Sequence, residues 1–170
     1  NTFKTKPILT VLSGPAASVA GALLHLRILN GIFIEVGGTS TNICVIKNGK
    51  PEVKYVTIME HPTCIKSLDV RVVGIAGGSL VRWSGKKITD VGPRSAHISG
   101  LKYSCFAEPQ ELEGGQIVTF MPREGDPIDA IGIEVGAGKR FAITNTCAAN
   151  ALGIVHDNDY PKGDQKSAQL

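Results

Sequence analysis

The sequence predicts a mixed α/β fold, on three observations. A single apolar stripe at helical spacing near the start is followed by many short apolar runs. Twenty glycines and nine prolines fall between those runs, more than a helical bundle tolerates and typical of strands joined by tight turns. Over 170 residues, 42% hydrophobic and 19% charged content is that of a globular domain with a sizeable core, not of a disordered chain.

The helix is signalled by Ser13-Gly14-Pro15, with Ala16, Val19, Ala20, Leu23 and Leu24 spaced by three and four, and is expected from Pro15 to Ile28. Asn30-Gly31 ends it. Ile32-Phe33-Ile34-Glu35-Val36 then reads as a buried strand, because apolar, mostly β-branched or aromatic residues run without alternation. After Gly37-Gly38, residues 42–47 form a second strand, Asn48-Gly49 a type I′ turn and residues 52–59 a third strand, drawn most simply as a three-stranded meander. A strand over 69–73 enters the loop Gly74-Ile75-Ala76-Gly77-Gly78 and continues as residues 79–83. Residues 97–115 have weak periodicity and read as an irregular excursion. Strands return at 116–121, 130–135 and 140–144, the last two joined through residues 136–139. Asn145 or Thr146 caps a short helix through Leu152. One domain over residues 1–155 is expected, followed by a polar tail, 156–170, with too little apolar surface to keep it from fraying.

Composition excludes some functions. The net charge of +3 is spread along the chain without a basic run, and aromatics make up 5%, so neither a phosphate-tracking stripe nor a stacking platform for nucleic acid is expected. Small anions remain as charged ligands. Cys44, Cys64, Cys105 and Cys147 are widely spaced and read as reduced thiols of a cytoplasmic protein. No signal sequence opens the chain and no apolar run reaches the roughly 18 residues of a membrane span, so no membrane partner is expected.

The chemistry centres on the hairpin Glu35-Val36-Gly37-Gly38-Thr39-Ser40-Thr41-Asn42. Two glycines leave backbone amides without side-chain cover, so a phosphate can approach closely, and three consecutive hydroxyl residues add donors. Glu35, at the strand end, is placed to hold a magnesium ion through water. From spacing alone, the same residues read equally as a plain hairpin turn with threonines favoured for strand propensity. Gly77-Gly78-Ser79 forms a second glycine loop, with the same two readings.

Several runs, taken together, are more specific. Residues 13–22 (Ser13-Gly14-Pro15-Ala16 onward), 35–45, 69–79, Val91-Gly92-Pro93-Arg94-Ser95-Ala96 and 140–153 resemble, in order and spacing, the A-type subunits of the hydantoinase/5-oxoprolinase family. That resemblance implies an RNase H-like lobe of the actin, Hsp70 and sugar kinase type, with a mixed, largely antiparallel sheet and flanking helices. It implies ATP and Mg2+ as cofactors, a cyclic amide as substrate and ATP-dependent activation of its carbonyl oxygen. It also implies a second phosphate hairpin in the remainder of the same polypeptide, a B-type partner subunit, and no turnover by this chain alone. Glu35 and Asp69 are then the catalytic candidates, Glu35 the metal candidate, and Gly37, Gly38, Thr39, Ser40, Thr41, Asn42, Gly77, Gly78 and Ser79 the nucleotide-binding candidates.

This chain departs from the family pattern at three places. Glu35 and Asn42 stand where the family usually has aspartate, and Arg71 where it has histidine. Those changes favour nucleotide binding over efficient transfer and leave open a catalytically degenerate, regulatory or structural member. Elsewhere, His61 and Cys64 make half of a zinc motif without a second half. Cys105 and Cys147 read as buried structural thiols rather than nucleophiles. Asp90, Arg94 and His97 gather at a turn, as surface loops often do, Arg140 reads as a solvated hairpin residue, and Trp83 reads as core.

Overall fold

The computed structural model describes residues 2–10 and 13–170. It is mixed α/β with largely antiparallel sheets and few flanking helices, the fold class the sequence predicts. The chain divides into two compact units, Asn1–Glu35 with Thr41–Val72 and Val36–Ser40 with Val73–Leu170. Among the described residues, no helix is long and apolar enough to cross a membrane.

The first unit begins with a short helical turn, α1 (Thr2–Thr5), and the helix α2 (Ser13–Leu26). The helix stops two residues before the expected end. Arg27 adopts a left-handed φ of 51° and its amide bonds back to the carbonyl of Leu23, so a non-glycine residue terminates the helix ahead of Asn30-Gly31. The sheet contains β1 (Gly31–Val36), β2 (Thr41–Lys47) and β3 (Lys50–Pro51) in that order, with β6 (Val70–Val73) also beside β2. Its core is Val19 of α2 against Cys44 and Val70, flanked by Leu23, Phe33 and Leu68.

Two expectations fail here. β1 is not buried on both sides: Phe33 faces the core while Ile32, Ile34 and Val36 are exposed, because in the order β1-β2-β3 it is an end strand with a helix packed on one face only. The three-stranded meander is also wrong. The type I′ turn forms, with Asn48 and Gly49 at φ of 51° and 72°, but the strand after it breaks at Glu52. β3 stays with β2, whereas β4 (Val53–Ile58) leaves to pair with β5 (His61–Leu68) as a separate ribbon. The positive φ values of Met59 and Glu60 turn that ribbon without a glycine, which removes the usual hairpin signal from the sequence.

In the second unit, β7 (Ser79–Trp83), β8 (Ile88–Ser95), β9 (Lys102–Tyr103), β10 (Gln116–Phe120), β11 (Ala130–Val135) and β12 (Lys139–Ala142) form one sheet. Its central strand is β11, antiparallel to β10 from Gln116↔Glu134 to Phe120↔Ala130 and to β12 from Gly132↔Ala142 to Val135↔Lys139. β9 runs parallel to β12. Apolar side chains pack in two clusters, Leu80, Ala96, Phe120, Ala130 and Ala142 in one, Ala107, Leu112, Ile133 and Phe141 in the other.

The helix α3 (Asn145–Ala151) is capped one residue earlier than expected, by Thr144, whose hydroxyl accepts from the Cys147 amide at 3.3 Å. Residues 97–115 are irregular, as the sequence implies, but carry two short 3-10 turns, Ser104–Phe106 and Pro109–Leu112, the second closed by a reciprocal Glu108–Glu111 capping box. The tail has anchors that an apolar count overlooks. Buried Asn150 donates to the carbonyls of Thr146 and Pro161, each at 2.9 Å, and accepts from the Gly163 amide at 2.8 Å. The Asp164 amide donates to Cys105, and a short helix α4 (Gln165–Gln169) follows with Ser167 buried.

Candidate functional site

The two glycine loops that the sequence marks separately lie side by side. The Gly77 amide donates to the Gly37 carbonyl at 3.1 Å and the Gly78 amide to the Gly38 carbonyl at 2.8 Å. This contact needs glycine. A Cβ at position 78 would lie 2.6 Å from the Gly38 carbonyl oxygen and against the Tyr103 hydroxyl, and one at 77 would lie 2.8 Å from Thr146 Oγ1. From the other side, α3 fixes the second loop: the Thr146 amide and hydroxyl both donate to the Gly77 carbonyl, at 2.8 and 2.9 Å, and Asn145 Nδ2 donates to Ala76.

The paired loops line a cleft of about 570 Å³ with Tyr103, Phe106 and Thr146. That volume is in the range of small-ligand pockets, roughly 300–1,000 Å³. The Gly37 amide closes the first loop onto the Ser40 carbonyl at 3.0 Å, which leaves the amides of Gly38, Thr39 and Ser40 as the donors the loop can offer an anion. Thr39 Oγ1 lies 3.2 Å from Ser95 Oγ, so one hydroxyl proton is shared between them. Ser79 is not a ligand donor in this arrangement. It is fully buried and its Oγ accepts the Ala76 amide at 2.8 Å, holding the second loop in shape.

Glu35, in the first unit, is a fixed carboxylate. Ser18 Oγ donates to its Oε1 at 2.7 Å and Asn42 Nδ2 to its Oε2 at 2.8 Å. These two hydrogen bonds, the Ser18 one the stronger, hold the carboxyl below its ordinary range against the opposing effect of burial. Asn42 therefore acts as a partner of Glu35. Asp69 is held differently: it pairs with Lys54, and its amide donates to the Glu52 carbonyl. Arg71 is exposed, and Thr41 begins β2.

The remaining candidates separate. Among the described residues no three His, Cys, Asp or Glu side chains gather as a metal would need, and His61 and Cys64 are exposed. Cys105 and Cys147 are buried, as expected of structural thiols, and Trp83 is half-buried. Arg94 is held by two hydrogen bonds to Asp126, both 2.7 Å, while His97 is exposed. Arg140 is less solvated than expected, pairing with Glu134 at 2.5 Å and lying over the Phe120 ring.

Four contributors escape the sequence reading. Ser18 gives a signal only through the 13–22 run, as a hydroxyl within a largely apolar helix. Tyr103 and Phe106, stacked with ring centroids 5.2 Å apart, lie in the irregular 97–115 segment, where no periodicity assigns a face. Thr146 is within a run that resembles the family, but its bond to Gly77 is a tertiary contact no spacing can reveal.

The family model described as hydantoinase/oxoprolinase matches residues 1–170. No curated protein sequence matches the chain. Among solved structures, the fold is similar to that of nucleotide-free acetone carboxylase, from work on the mechanism of ATP-dependent acetone carboxylation. The TM-score is 0.60 with 20% identity, covering 94% of this chain and 19% of that one. This chain thus spans about a fifth of that protein chain, and at such identity the likeness is one of fold. With the family model matched from end to end, the chain belongs to the hydantoinase/oxoprolinase family.

Proposed function

We propose that this chain is the ATP-binding lobe of a cytoplasmic enzyme that opens cyclic amides, using ATP to activate the ring carbonyl oxygen. The observation that carries the reading is the backbone pairing of the two glycine loops, Gly77 to Gly37 and Gly78 to Gly38, at the wall of one cleft. Side chains are excluded there by contact distance, so peptide groups form the surface a polyphosphate would meet. The amides of Gly38, Thr39 and Ser40, with the hydroxyls of Thr39 and Ser40, fit its oxygens.

Magnesium fits the same reading in a limited way. It commonly binds through one or two carboxylates, several waters and the substrate phosphates, and Glu35, two residues before Gly37, offers one ionised carboxylate. The ion, when bound, would neutralise phosphate charge; the protein's part is to orient Glu35 through Ser18 and Asn42. The second phosphate hairpin, the substrate pocket and any B-type partner belong to the proposal through the family.

A second reading has its own observation. The Asn42 amide occupies a Glu35 oxygen at 2.8 Å, a position that a metal-bound water would otherwise use, which favours a member that binds nucleotide and has lost efficient transfer. Titrating the intact protein with ATP, with and without magnesium, while following backbone amide resonances, tests the first claim. Shifts confined to residues 37–41 and 76–79 are expected. Their absence would remove both readings, and binding without ATPase activity would select the second.

A further inference from the structure

Within the second unit, one aromatic pair reaches from the core, against which Tyr103 packs, to the surface, where Phe106 is exposed. Tyr103 and Phe106 stack at 5.2 Å with their planes 21° apart, and both line the glycine cleft. Phe106 is 43% exposed although its neighbours Cys105 and Ala107 are buried. Tyr103 connects the two parts of the cleft: its hydroxyl lies over Gly78, and 3.9 Å from where a Cβ of Gly38 would be, while its ring lies on Phe106. Tyr103 packs against the cluster of Leu80, Ala96 and Phe120 and backs Phe106, whose exposed ring offers the face that accepts a flat heteroaromatic ring.

The cleft lining includes no Asn, Gln, Asp, Glu, Arg or Lys side chain among the described residues. Its polar side-chain atoms are the hydroxyls of Tyr103, Thr146 and Tyr160. Thr146 already donates to Gly77, and Tyr160 is fully exposed. Sites that reject a close analogue strongly do so by hydrogen bonds that the analogue leaves unpaired. Contact through a π-face grips every base in a similar way.

We propose that Tyr103 and Phe106 form a nucleobase platform in this cleft, one that holds purine rings by stacking and does not distinguish adenine from guanine. The proposal rests on the nucleotide reading above and adds to it which part of the ligand the aromatic pair contacts and how selective that contact is.

Competition binding on the intact protein tests it, with ATP, GTP and inorganic tripolyphosphate as probes, in the wild type and in Phe106→Ala and Phe106→Tyr. ATP and GTP should bind within about threefold of each other, and both should bind more tightly than tripolyphosphate. Phe106→Ala should weaken ATP and GTP by about tenfold, within the range for losing one base–aromatic stack, and leave tripolyphosphate unchanged. Phe106→Tyr should retain nucleotide affinity. Phe106 is substantially exposed, so the variants should fold, and their melting temperatures check it. Tripolyphosphate binding as tightly as ATP, or an ATP-to-tripolyphosphate ratio unmoved by Phe106→Ala, would overturn the platform while leaving the phosphate loops intact. A preference for ATP over GTP above about thirtyfold would overturn its lack of selectivity. No binding of any of the three probes would overturn the nucleotide reading and the platform with it.

Discussion

The amide of Gly78 donates to the carbonyl of Gly38 across 2.8 Å, joining two loops that are far apart in the chain and share no sequence pattern beyond paired glycines. Alanine at position 78 would set a methyl group 2.6 Å from the Gly38 oxygen and against the Tyr103 hydroxyl. The carbonyl cannot swing aside without breaking the loop pairing, so Gly78→Ala should cost about 1–3 kcal/mol, as overpacking does. Gly77→Ala meets a threonine hydroxyl instead and should cost less. In the double variant Gly78→Ala, Tyr103→Phe, thermal melts should recover only part of the loss, because the carbonyl contact remains.

Asn42 decides what Glu35 can do. Its Nδ2 donates to Glu35 Oε2 at 2.8 Å and helps hold that carboxyl below its ordinary range. A depressed pKa means the folded state gains stability above the unfolded value and loses it as pH falls through the folded one. Asn42→Asp would replace the donor with a second carboxylate, leaving like charges in contact. At pH 7 without metal the variant should be less stable by about 1–3 kcal/mol, the cost of losing a hydrogen bond to a charged group. The sign of its pH dependence should reverse, since one of the two carboxyls now has a raised pKa and takes up a proton on acidification. Millimolar magnesium should restore the melting temperature of the variant more than that of the wild type. Equal magnesium effects on both would show that this pair does not face a cation.

How much of this was legible in the sequence depends on the range of the contacts involved. β2, β6, β7 and β11 follow from local apolar runs, and the type I′ turn at Asn48-Gly49 from residue chemistry alone. β5 and β8 are hidden in the sequence because His61, Pro62, Gly92 and Pro93 break the pattern in strands that the fold nevertheless tolerates. Each glycine loop is legible by itself. That they are paired, that Ser79 shapes its loop and does not offer its hydroxyl outward, and that Asp69 turns to Lys54 are all tertiary facts. So is the break at Glu52: Pro51 marks a bend just before it, but not that the chain leaves one sheet for another.

Glu111 ties three parts of the second unit together. Its Oε2 accepts from Lys102 Nζ at 2.6 Å and from the Glu108 amide at 3.0 Å, and its Oε1 accepts from Lys139 Nζ at 2.8 Å. The Lys102 bond, then the Lys139 bond, lower its pKa from the usual 4.5 to about 2. The stabilisation is therefore complete above about pH 4.5 and lost as pH falls towards 2. Glu111→Gln should melt below the wild type at pH 7, with the gap closing through that acidic window. Because the lysines are exposed, molar salt should narrow the gap as well.

Asn150 is the strongest test of how the tail is held. It is 2% exposed, and its side chain satisfies two carbonyls, of Thr146 and Pro161, and one amide, of Gly163. Asn150→Ala would leave the Pro161 carbonyl and the Gly163 amide without these partners, at about 1–3 kcal/mol for each such group that stays buried. The chain can avoid that cost by releasing the segment, so the loss should appear as local opening more than as a fall in global stability. Hydrogen exchange of residues 156–170 should accelerate in the variant, and a protease should cut there first, while amides of β11 and β12 keep wild-type protection. If β11 and β12 lost protection in step with the tail, Asn150 would be supporting the sheet core, and the tail would be no more separable than any other part of the unit.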